Sequence, residues 1–79
     1  MKFQQMVFTT NNPEQARLEE VVEAVDFRDM VLKTFFVKGF DDEVQIQDMI
    51  DSFTLYDDNG QQKYVSYGEE VIEIFFVIS

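Results

Sequence analysis

The stretch FTLYDDNGQQKYVSY, residues 53–67, places two short aromatic runs on either side of Asp57-Asp58-Asn59-Gly60. Asn and Gly accept positive φ, so the tetrad reads as the turn of a β-hairpin. A hairpin commits the chain to antiparallel pairing, and other segments must supply the rest of the sheet. KFQQMVFTT, from Lys2, reads as a strand with Met6 and Phe8 on one face and Phe3 and Val7 on the other. VIEIFFVIS, from Val71, is β-branched and apolar on both faces, which at this length favours a strand. DMVLKTFFVK, residues 29–38, has a similar character and is expected as a strand ended by Gly39.

Two segments read as helices. In NNPEQARLEEVVEAV, residues 11–25, Asn12 can cap, Pro13 suits a first helical position and Gln15 completes a capping-box spacing. Leu18, Val21, Val22 and Val25 follow at helical intervals, with Glu19, Glu20, Glu23 and Asp26 opposite. Residues 41–52 are ambiguous. As a helix they align Ile46, Met49, Ile50 and Phe53, misplacing only Val44, with Asp41 as cap. As a strand they would point Asp48 inward, and an unpaired buried carboxylate costs more than a misplaced valine. The expected fold is α+β: residues 1–79 as one small acidic domain, a mostly antiparallel sheet of four to five strands with two helices on one face, in the order β-α-β-α-β-β-β.

Two short helices cover one sheet face only. Residues 29–38 and 71–78 offer apolar side chains to both faces, so a second copy or an obligate partner is expected on the other. A chain of 79 residues is expected to be only marginally stable, and its nine Phe and three Tyr supply much buried area per residue.

The chain has no cysteine and no histidine, which excludes disulfides, thiolate zinc sites, cysteine nucleophiles and histidine-based acid–base chemistry. Serines without a histidine and without an S-x-x-K spacing make no nucleophile, so a non-enzymatic protein is expected. MKFQQMVF lacks the apolar core of a signal peptide and no run is long enough to cross a bilayer, so a cytoplasmic protein is expected.

Net charge is −10 and unevenly placed. Residues 1–38 hold five bases against six acids, while residues 39–79 hold Lys63 alone against ten acids. That sign disfavours direct binding of nucleic acid or of an anionic membrane. A calcium loop with Gly60 at its sixth position would need carboxylates at Leu55 and Ser66, so Asp57 and Asp58 read as turn residues, and neither a metal nor a cofactor is expected. Any single acid is explained by solubility; their crowding in one half is not. The expectation is a surface that docks on a basic protein partner, carried by Glu43, Asp48, Asp51, Asp57 and Asp58 with Glu19, Glu20 and Glu23. In a narrower form, its carboxylates would stand where a nucleic-acid-binding protein expects phosphates. The alternative is a structural or assembly subunit that oligomerises through the apolar sheet face.

In composition (short, acidic, cysteine-free, one domain) the chain resembles phage-encoded inhibitors of restriction, CRISPR and DNA-repair enzymes. Those inhibitors share no common fold, and the likeness implies an inhibitory docking role without assigning one to any residue.

Overall fold

The computed structural model describes residues 1–79, and all their side chains except that of Pro13. Its elements in chain order are β1 (Lys2–Thr9), a short 3-10 turn (Pro13–Gln15), β2 (Arg17–Glu23), α1 (Phe27–Phe35), α2 (Glu43–Asp51), β3 (Thr54–Asp58), β4 (Gln61–Tyr67) and β5 (Val71–Val77). The five strands form one antiparallel sheet in the order β2-β1-β5-β4-β3. The α+β class, the sheet and the pair of helices follow the expectation. Two segments exchange roles.

Residues 12–26 hold no α-helix. Asn12 makes no side-chain capping bond, and Arg17–Glu23 extend as an edge strand along β1. The misleading feature is a β-bulge: Met6 pairs with Leu18 and Gln4 with Val21, so three steps on β2 span two on β1. A bulge of this kind puts Leu18 and Val21 on one face at an interval of three, the spacing of a helix. Residues 29–38 hold no strand. The helix begins at Phe27, and Phe27, Met30, Val31 and Phe35 recur along its inner side. Its start is fixed reciprocally: Asp29 N–H donates to Asp26 Oδ1 at 2.8 Å and Val25 N–H to Asp29 Oδ2 at 2.9 Å. The arrangement is a variant of the capping box in which Asp29 reaches one residue beyond the cap, to Val25. The second helix forms as expected, Val44 being exposed, although Asp42 and not Asp41 caps it by accepting from Val44 and Gln45 N–H. The hairpin turns at Asn59 and Gly60, whose φ values are 56° and 88°.

The strand register sorts every sheet residue onto one of two faces. One face carries Phe3, Gln5, Val22, Tyr64, Glu73, Phe75 and Val77. Both helices lie on it. Phe27 stacks on Tyr64 and meets Phe3, Phe53 and Phe75 edge-on, and Phe35 packs on Phe53 and Phe75. With Ala24, Met30 and Val31 these rings form the main hydrophobic core. Toward the β4–β5 turn the same face becomes mixed, with Ser66 and Glu73 beside Val7 and Val71.

Candidate functional site

The other face of the sheet carries Met6 and Phe8 from β1, Ile72, Ile74 and Phe76 from β5, and Lys63, Val65 and Tyr67 from β4. Tyr56 joins them from β3, and Leu18 and Val21 from β2. None of these residues belongs to the core cluster beneath the helices. Most are half-buried by one another, while Tyr67 and Leu18 are 64% and 69% exposed. Phe8, Tyr56, Lys63, Val65, Tyr67, Ile72 and Ile74 line a shallow groove of about 190 Å³. At its margin the Tyr56 and Tyr67 hydroxyls meet at 3.2 Å, with Lys63 Nζ 6.0 Å from the Tyr56 ring centroid. The hydrogen bond shared with Tyr67, and then lost hydration, push the Tyr56 hydroxyl above its ordinary pKa. At about 4.8 Å per strand and 3.4 Å per residue this face measures roughly 19 by 20 Å. Its exposed apolar surface comes from Leu18, Val21, Tyr56 and Tyr67, set around the half-buried Phe8, Ile72 and Ile74, and apolar residues grouped in this way mark a binding surface.

The expected acidic site does not come together as one surface. Glu19, Glu20 and Glu23 stand on β2, at one edge of the sheet, and Asp57 and Asp58 at the end of β3, at the opposite edge. These edges are about 19 Å apart, more than two screening lengths at physiological ionic strength, so their charges act separately. Glu43, Asp48 and Asp51 belong to α2, in the helical layer behind the sheet. Several of these acids also serve the fold. Glu43 accepts from Arg28 Nη2 at 2.8 and 2.7 Å, Glu19 pairs with Arg17, Asp51 accepts from Gln47, and Asp57 accepts from Gly60 N–H in the turn. Asp48 borders a shallow hollow with Phe36 and Met49.

Instead of a patch, the acids make a frame. Glu23 on β2 and Asp58 on β3 border the helix-free face, and Glu69 and Glu70 stand in the β4–β5 turn at one end, whereas Glu19 and Glu20 border a hollow with Gln5, Val22 and Thr34 on the helical side and Asp57 turns to that side from β3. Sequence reasoning passed over Glu69 and Glu70, although their place beside the apolar strand β5 was a signal. It expected the apolar residues of 71–78 to meet a second copy or partner, but assigned no binding role to Phe8, Tyr56, Val65 and Tyr67. Among the described residues no three acids converge in a way that could hold a metal ion, and no helix is long and apolar enough to cross a membrane. No protein-family model, curated protein or solved structure matches this chain.

Proposed function

We propose that this protein is a non-enzymatic binding protein that holds a basic protein partner against the helix-free face of its sheet. The observation that carries the reading is the apolar groove of Phe8, Val65, Ile72 and Ile74 inside a frame of four carboxylates, from Glu23, Asp58, Glu69 and Glu70. An apolar centre with a polar rim is the ordinary anatomy of a protein interface. The centre supplies affinity by removing ring and aliphatic surface from water, and the frame selects sign and speeds the encounter. A partner that fits has an apolar patch ringed by Lys and Arg. The scattered acids favour this general docking over phosphate mimicry, which needs carboxylates repeating along one surface. A second copy of the chain on the same face would set like frame against like frame at −10 per chain, so charge argues for a different partner.

Immobilised protein exposed to lysate at low salt, with a rising salt gradient and with an Ile74→Lys variant in parallel, tests this. The expected result is a basic protein that elutes with salt and is absent from the variant column. Equal retention on both columns, or a captured protein that is acidic, would remove the reading.

A further inference from the structure

The two edges of the sheet are not alike. β2 is bulged and carries three glutamates, which blunt it against further pairing. β3 has neither bulge, proline nor lysine; it pairs with β4 in unbroken register from Thr54–Val65 to Asp58–Gln61, and all five of its residues are exposed. Because a two-residue turn closes on a hydrogen-bonded pair, Asp58, Tyr56 and Thr54 face β4 with their backbone groups. Leu55 and Asp57 therefore turn N–H and C=O outward along an open edge. Thr, Leu and Tyr suit an extended backbone, so the edge is ready to accept another strand.

We propose that β3 receives an extended segment of a basic protein, which adds to the sheet as a sixth strand along Thr54–Asp58. The side chains of the edge define its chemistry. Tyr56 and Asp58 lie on the helix-free face, so the incoming strand presents an apolar residue beside Tyr56 and, two positions on, Lys or Arg beside Asp58. Neither Asp57 nor Asp58 has an ion-pair partner among the described residues, which leaves both charges to the newcomer. Main-chain hydrogen bonds would supply affinity and the two alternating positions selectivity. The inference rests on the partner being a basic protein, as proposed above, but not on where the apolar face is covered.

The probe is an eight-residue peptide of alternating valine and lysine, added to the full chain, with a valine–glutamate peptide as control. The expected result is slowed amide exchange at Leu55 and Asp57 by at least about ten-fold with the lysine peptide only. A Leu55→Pro variant removes an outward N–H without touching the β3–β4 ladder, and its affinity should fall by about ten-fold or more. Ile74→Lys should bind the peptide as wild type does, even where it has lost the captured partner, which separates failure of the face from failure of the edge. Protection at β2 instead, no protection at either amide, or equal peptide binding by a Leu55→Pro variant that remains folded would overturn the proposal. Sedimentation as a dimer with Leu55 and Asp57 already protected would overturn it in favour of a second copy.

Discussion

Phe27, the first residue of α1, lies flat on Tyr64 in the middle of β4, with ring centroids 3.7 Å apart and planes 9° from parallel. This stack joins the helical layer to the sheet at one point, with Phe3, Phe53 and Phe75 closing around it edge-on. The domain is too small to offer a second core of comparable size, and its total stability is on the order of 4–12 kcal/mol. Phe27→Ala should cost about 3–5 kcal/mol, read as a urea midpoint far below that of wild type.

Neighbouring phenylalanines on β5 should behave differently. Phe75 is fully buried under the helices, whereas Phe76 points to the helix-free face and is half-buried. Phe75→Ala should lose about 3–5 kcal/mol, and Phe76→Ala no more than about 2 kcal/mol, with its fold retained by circular dichroism. Equal losses would mean that both faces of β5 are core.

The reciprocal cap of α1 predicts a start that depends on both aspartates. Asp26→Ala should destabilise by about 0.5–2 kcal/mol, and Asp26→Asn by less, since an amide oxygen still accepts from Asp29 N–H. Thermal unfolding of the two variants checks the order. This box, Asp26-Phe27-Arg28-Asp29, was readable in the sequence, and so was the inner row Phe27, Met30, Val31 and Phe35. Aromatic and β-branched content outweighed both, and the helical rhythm that a bulge lends to Leu18 and Val21 completed the exchange. The hairpin, β1, β5 and α2 were legible because turn chemistry, strand length and one awkward aspartate each decide locally. The open face was legible too, from the two-sided apolar pattern of β5. What no periodicity conveys is which strands become edges, and that placement separates Glu19, Glu20 and Glu23 from Asp57 and Asp58.

Two carboxylates should move stability with pH in opposite senses. Burial raises the pKa of Glu73 against a weaker opposing hydrogen bond from Gln5, so its charged form is disfavoured in the fold. Its contribution is present at low pH and fades as pH rises through that raised value. Glu73→Gln should therefore be more stable than wild type at neutral pH, the difference vanishing below about pH 4. The Val25 N–H, and then Lys33, lower the pKa of Asp29, so its contribution holds above the ordinary carboxylate range and is lost as pH falls. Asp29→Asn should be less stable than wild type at neutral pH and equal to it in strong acid. Denaturant midpoints for the two variants across pH 2–7 should converge on the wild type from opposite sides.

The acids of α2 offer a control on the site itself. Asp48 and Asp51 lie in the helical layer, away from the helix-free face. Replacing both with Asn should leave folding and capture of the basic partner unchanged, whereas replacing Glu69 and Glu70 with Gln should shift its elution to lower salt. The opposite pattern would move the docking surface to α2.

Methyl spectra of isoleucine-labelled protein, recorded with and without the captured basic protein, test the account most directly. Ile72 and Ile74 report on the helix-free face, and Ile46 and Ile50 on α2 in the helical layer. Binding should shift or broaden the signals of Ile72 and Ile74 while those of Ile46 and Ile50 stay in place. Perturbation of Ile46 and Ile50 alone, with Ile72 and Ile74 unmoved, would contradict it.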